Sequence, residues 1–254
     1  MKVLICGKGG SGKSTLSVLI ARTMKERGYR VLLVDADESN FGLYRLMGVT
    51  PPITLMDHLG GKKGFKQKLN APLHAHGAEG ILPGKLRIDE IPKTCVARAD
   101  GIRLLVIGKI LDFGEGCACP MGVLSKMVLS RIEEDADEIV IVDTEAGVEH
   151  FGRGVDQACD MVIGIVDPTF ESFMTAEKIS EMAEKAGAAL FFVLNKVEET
   201  VASVMDAHID TKRVIGRIPR DPDIFMAGLS GKTLATGVGG MERIARTIEG
   251  FAGG

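Results

Sequence analysis

Apolar residues in this chain gather into short unbroken runs separated by longer stretches of helical spacing. The runs at 3–6, 31–34, 103–107, 139–142, 161–166, 189–194 and 213–215 are too continuous for strands with one wet face. They read as strands buried on both sides. Between them, apolar positions recur at helical intervals, which predicts helices over 13–27, 121–134, 172–185 and 241–250. Gly28 and Gly187 stand where left-handed C-caps belong. Strand and helix patterns alternate, so the expected class is α/β. The sheet should be mostly parallel and twisted, with about seven to eight strands and helices on both faces. Only 60–99 breaks the rhythm, being rich in Gly, Pro and Lys. It reads as a surface excursion with a short edge strand near 85–88, inside a single domain spanning 1–254.

The join between the first strand and the first helix is Gly7-Lys8-Gly9-Gly10-Ser11-Gly12-Lys13-Ser14. It matches G-x-x-x-x-G-K-[ST] in full and in the right context, and it predicts the P-loop NTPase fold. A glycine-rich turn there aims backbone N–H groups at phosphate oxygens. Lys13 adds charge near the outer phosphates, and the Ser14 hydroxyl can ligand Mg. Gly9, Gly10, Ser11, Gly12 and Thr15 complete the expected ATP/ADP cradle. The second strand ends in Asp35-Ala36-Asp37, and the run at 139–142 ends in Asp143. Carboxylates at the carboxyl ends of parallel strands face the ligand crevice. There they can support Mg and position an attacking water. Asn195-Lys196 closes another apolar strand, where the amide can meet a purine edge and the lysine stem can pack on the base. Glu198 sits where guanine-reading enzymes carry an aspartate, which leaves room for GTP beside ATP.

Composition narrows the partners. The chain has 254 residues, 45% hydrophobic and 26% charged, which favours neither disorder nor a fibre. A net charge of −3 argues against non-specific nucleic-acid binding. No apolar run reaches a membrane span, and the chain enters a strand directly after Met1-Lys2. A cytoplasmic protein without nucleic-acid or membrane partners is expected. Five cysteines, an odd number, fit a reducing compartment. Cys6, Cys159 and Cys95 read as core thiols.

The remaining two cysteines lie in Gly114-Glu115-Gly116-Cys117-Ala118-Cys119-Pro120. In a regular strand Cys117 and Cys119 would point to opposite faces, so a shared metal needs a turn, which the glycines permit. Pro120 favours the first helical position and puts Cys119 near an N-cap, where a thiolate is stabilised. Two thiolates are half a tetrahedral shell, and a two-fold dimer would supply the other half. Thiolates suit Ni, Zn and iron–sulfur clusters alike.

The form K-G-G-x-G-K-[ST], with Lys8, resembles the deviant phosphate loop of the nitrogenase-iron-protein, MinD and ParA ATPases. The resemblance implies that Lys8 acts across a homodimer, and that Lys8, Lys13 and Asp37 are catalytic, with Asp37 orienting water. It further implies that Asp35 supports Mg with Ser14 and Asp143, and that Gly147 in Asp143-Thr144-Glu145-Ala146-Gly147 senses the γ-phosphate. Ile218-Pro219-Arg220-Asp221 resembles the loop lining the base, so Pro219 and Asp221 join Asn195 and Lys196 there. With the cysteine pair and the segment from Asp143 to Gly154, the whole chain resembles the CooC-type carbon monoxide dehydrogenase accessory ATPases. That implies dimerisation on ATP or metal, and nickel delivery to apo carbon monoxide dehydrogenase. A nitrogenase-reductase-like electron-transfer ATPase and a ParA/MinD-like positioning ATPase are the competing readings. His74 and His76 form H-x-H but would need their loop to order around an ion. His150 reads as a packing residue or a relay. Lys62, Lys63, Lys66 and Lys68 read as a solvated face able to dock an acidic client.

Overall fold

A computed structural model describes residues 1–70, 81–82, 84–110, 119–234 and 238–252. Among these, eight strands form one sheet: β1 (Lys2–Gly7), β2 (Arg30–Asp35), β3 (Val96–Ala99), β4 (Ile102–Val106), β5 (Glu138–Asp143), β6 (Met161–Val166), β7 (Ala189–Val197) and β8 (Val214–Pro219). Their order is β3-β4-β2-β5-β1-β6-β7-β8. Every pairing is parallel except β3 with β4. The expected mostly parallel α/β sheet is therefore observed.

Ten helices accompany it among the described residues: α1 (Lys13–Glu26), α2 (Leu43–Met47), α3 (Leu55–His58), α4 (Gly61–Leu69), α5 (Cys119–Arg131), α6 (Glu149–Gly152), α7 (Phe170–Ala186), α8 (Glu199–His208), α9 (Pro222–Ser230) and α10 (Met241–Ala252). Side chains alternate across each strand. Leu4, Leu32, Val34, Val140 and Val142 thus pack with Leu124 and Val128 of α5 and Ile179 of α7 on one face. Val3, Ile5, Leu33, Ile139 and Ile141 pack with Leu16 and Ile20 of α1 and Ile244 and Ile248 of α10 on the other. The continuous apolar runs are what this double burial requires.

The described part of 60–99 is partly buried. Phe65 of α4, Leu86, Ile88, Ile91 and Cys95 are buried and join the core beneath α5. These residues cover the sheet instead of lying on an exposed loop. They are spaced irregularly among Gly and Lys, so no periodicity reveals them. The strand expected near 85–88 is a single bridge, Leu86 to Ile132, followed by a 3-10 turn at Ile88–Glu90. The true edge is β3, whose VARA sequence carries little apolar signal. Helices α8 and α9 had no strong pattern either: α8 buries only Met205 and α9 buries no residue. No helix among the described residues is long and apolar enough to cross a membrane.

Candidate functional site

The loop from β1 to α1 is shaped by contacts that exclude side chains. Gly7 has φ +141°, and a Cβ there would lie 2.5 Å from Ile165 O. Gly12 has φ +101°, and its Cβ would strike Asn195 Nδ2. Both positions favour glycine for want of space as well as for dihedral freedom. Lys13 Nζ donates to Lys8 O at 3.2 Å, closing the loop over itself. Asn195 Nδ2 donates to Ser11 O at 2.7 Å, and Lys196 Nζ donates to Gly10 O at 2.6 Å. These two residues, expected beside a base, line the cleft and also brace the phosphate loop. Lys196 adopts φ 56°, an uncommon conformation for a lysine, at this contact.

Strand register brings the carboxylates together. Asp35 on β2 stands directly opposite Asp143 on β5. Asp143 is fully buried and accepts from Ser14 Oγ at 2.6 Å and Ser17 Oγ at 3.0 Å. Asn40 Nδ2 donates to the same Ser14 Oγ at 2.7 Å. Burial raises the Asp143 carboxyl to about 6, although the hydroxyls and Lys13 oppose the shift. A serine hydroxyl backed by a carboxylate is a hard oxygen donor set, which fits Mg. Asp35 is raised to about 7 by burial, against the pull of Lys109. Lys109 Nζ lies 2.8 Å from Asp35 Oδ2. Asp37 Oδ1 accepts from Ser39 N at 2.9 Å, Ser39 Oγ at 2.7 Å and Asn40 N at 3.2 Å. One oxygen of Asp37 therefore holds a turn, and the residue lines the cleft.

The turn after Asp143 lies against the loop. Gly147 N–H donates to Gly7 O at 3.1 Å, so the proposed phosphate sensor has a backbone acceptor in this conformation. Arg153 lies 2.5 Å from Glu145 and 3.8 Å from Glu38. Burial and the neighbouring Glu38 raise Glu145 to about 7. His150 is buried, and neither ring nitrogen has a hydrogen-bond partner among the described residues. Burial, with Lys13 and Arg153 nearby, lowers its pKa to about 3, so it is a neutral imidazole packed on Phe151. Lys8 reaches Asp167 of its own chain at 3.8 Å.

A cleft of about 1180 Å³ runs from Gly9 and Lys13 past Asp37 and Asn40 to Pro219 and Asp221. That volume suits a nucleotide. Asp221 also caps α9 through Asp223 N and Ile224 N. Glu198 pairs with Arg220 at 3.0 Å on the cleft rim. Sequence reasoning missed Asn40, Lys109, Arg153 and Asp167. Asn40, Lys109 and Asp167 each follow a strand end by a few residues, the one signal that could have marked them, whereas Arg153 follows α6.

Cys119 opens α5 and is exposed, as an N-terminal position allows. Cys117 lies outside the described residues, as do His74 and His76. Among the described residues no group of three or more His, Cys, Asp or Glu side chains forms a metal site. Cys6 and Cys95 are buried, and burial raises the Cys6 thiol to about 12, as core thiols require.

Comparison with known proteins agrees with this geometry. Residues 2–234 match CbiA, described as the CobQ/CobB/MinD/ParA nucleotide-binding domain. An uncharacterized ATP-binding protein of Methanocaldococcus jannaschii is 44% identical over 234 residues, covering 92% of this chain and 94% of that one. The carbon monoxide dehydrogenase accessory protein CooC of Rhodospirillum rubrum is 33% identical over 236 residues, covering 91% and 88%. The septum site-determining protein MinD of Pyrococcus horikoshii, solved with Mg-ADP, shares the fold with a TM-score of 0.69 at 19% identity, over 99% of this chain and 97% of that one. A complete phosphate loop on this sheet, and a family match over nearly its whole length, place the chain in the CobQ/CobB/MinD/ParA family of nucleotide-binding proteins.

Proposed function

We propose that this protein is a cytoplasmic, Mg-dependent ATPase that dimerises on nucleotide or metal binding. In this reading it is a metallochaperone delivering nickel to apo carbon monoxide dehydrogenase. The observation that carries the ATPase reading is the convergence of Ser14, Asn40, Asp143 and Asp37 beside the Lys13 loop. Phosphoryl transfer needs positioning and charge neutralisation more than covalent chemistry, and these residues supply both. Gly9–Gly12 backbone N–H groups and Lys13 hold the β- and γ-phosphates. Ser14 would hold Mg, with Asp143 orienting that hydroxyl. Mg, when bound, neutralises charge on the phosphate oxygens. Asp37 takes the proton side of the attacking water, using the oxygen not engaged by Ser39. Lys8 leaves Asp167 to reach the partner's phosphates, which ties turnover to dimerisation. Pro219, Asp221 and the rim of β7 enclose the base.

The nickel role is supported by the accessory protein of Rhodospirillum rubrum among the relatives and by Cys119 at a helix start. With Cys117 from the same subunit and the pair from a second, it would complete four thiolates. A ParA/MinD-like positioning role is the second reading, favoured by the shared fold. Against a membrane-anchored form of it, the apolar stripe of α10 is already buried at Met241, Ile244 and Ile248.

Asp37→Ala is the direct test of the ATPase reading. It should bind Mg-ATP, hydrolyse it at least about tenfold more slowly, and accumulate as an ATP-bound dimer. Light scattering and steady-state hydrolysis read this, and a monomer under both conditions would count against the dimer. Metal analysis of anaerobically purified protein, with and without nucleotide, tests the cargo. A brown iron–sulfur protein would favour electron transfer instead.

A further inference from the structure

The stretch after β4 lies alongside the stretch after β2. Ile107 N–H donates to Asp35 O at 3.0 Å, and Ile110 N–H donates to Glu38 O at 3.1 Å. Lys109 crosses between these two bonds. Its ammonium lies 2.9 Å from Asp35 Oδ1 and 2.8 Å from Oδ2, and it also donates to the carbonyls of Asp37 and Asn40. The side chain is 6% exposed. An ammonium has three donors, and these acceptors satisfy all of them.

The acceptors belong to the 35–40 segment, part of which lines the cleft beside the phosphate loop. It carries Asp37, and it carries Asn40, whose amide donates to Ser14 Oγ. Both Asp35 carboxylate oxygens lie within 3 Å of the Lys109 ammonium, and Oδ1 also accepts from Asp37 N–H at 3.2 Å. The other side of the 107–110 stretch meets α5. A Cβ on Gly108 would lie 3.1 Å from Met121 Sδ and 3.1 Å from Met56 Cβ, so the backbone here comes up close against both side chains. Met121 lies in the first turn of the helix that Cys119 opens.

We propose that Lys109 is a positioning residue that couples the 35–40 segment to the first turn of α5, with Asp35 as its anchor. The inference rests on the ATPase reading and adds the route by which nucleotide state reaches the thiol-bearing end of α5. A buried ammonium cannot be left short of acceptors without a large desolvation penalty. When the Asp37 and Asn40 carbonyls shift with the γ-phosphate, Lys109 must follow them. Ile107 and Ile110 are bonded to the same segment and move with it, and the packing of Ile107 and Gly108 beside Met121 passes the shift to α5. This is a two-state element biased at one end by nucleotide, as coupling between sites requires.

The test uses the full chain as wild type, Lys109→Met, Asp35→Asn and the double variant. Hydrogen exchange is followed apo, with Mg-ADP and with a non-hydrolysable ATP analogue, alongside nucleotide affinity and steady-state hydrolysis. In wild type, the analogue should change protection at Ile107, Ile110 and the first turn of α5. Lys109→Met should keep nucleotide affinity within about threefold, lower kcat at least about tenfold, and lose the change at α5 while keeping it at the phosphate loop. The double variant should be no worse than Lys109→Met alone, because both removals break one unit. A nucleotide-dependent change that persists at α5 in Lys109→Met, an unchanged kcat beside an active wild type, or additive losses would overturn the proposal. If Lys109→Met does not fold, Asp35→Asn decides it, since the anchor's loss should weaken the same change at α5. A wild type that binds nucleotide without hydrolysing it would sink the ATPase reading, and the exchange comparison would still decide the coupling.

Discussion

Asp35 and Asp143 are register partners at the ends of adjacent parallel strands, yet their side chains take opposite kinds of partner. Asp143 accepts hydroxyls from Ser14 and Ser17, while Asp35 accepts an ammonium from Lys109. Equal positions in the sheet therefore carry different chemistry. Asp143→Asn should weaken Mg-dependent nucleotide binding about 10- to 100-fold, because the group orienting the Ser14 ligand is lost. Metal-independent binding should change little. Mg titrations with a fluorescent nucleotide check this, and equal losses with and without Mg would contradict the assignment.

The two lysines of the phosphate loop should separate in kinetics. Lys13 is buried beneath the loop and Lys8 sits at its rim beside Asp167. Lys13→Ala should lose most nucleotide affinity, since phosphate charge goes uncompensated. Lys8→Ala should bind within about threefold of wild type and lose turnover. Isotherms and steady-state rates decide it. Normal hydrolysis by Lys8→Ala would remove the case for action across a dimer.

The cysteine pair should bind one divalent ion per dimer. Cys117→Ser or Cys119→Ser should abolish that binding, because a hydroxyl is a harder and far less acidic ligand. Metal should tighten dimerisation, and dimerisation should tighten metal, by the same factor. Native mass spectrometry and sedimentation measure both. One ion per monomer would show that the site is not shared.

His150 predicts an acid-side loss of stability. Its folded pKa is lowered to about 3 from an ordinary 6.5, so the unfolded chain binds the extra proton between those values. The stability due to keeping it neutral is present above about pH 6.5 and is lost as pH falls toward 3. The slope approaches about 1.4 kcal/mol per pH unit. His150→Gln should flatten thermal unfolding curves measured from pH 6.5 down to 4. An unchanged pH dependence in that variant would mean that other groups set the acid limb.

The phosphate loop was legible because it is local. Its glycines, Lys13 and Ser14 are contiguous, and the strand before and helix after are strongly patterned. Lys109 was not legible, because a lysine three residues past a strand has no pattern until β2 and β4 are paired. Asn195 and Lys196 were found at the cleft, but only packing shows that their donors also meet Ser11 O and Gly10 O.

The chain's own pattern determined the α/β class, the parallel core strands and the phosphate-binding turn, because each depends on residues within one or two elements. Tertiary structure decided which carboxylate faces a hydroxyl and which an ammonium, and that Phe65 enters the core from a Lys-rich helix. Such contacts join distant segments, 74 residues apart for Lys109 and Asp35 and 129 for Ser14 and Asp143, set by strand order and burial, and no local propensity encodes them.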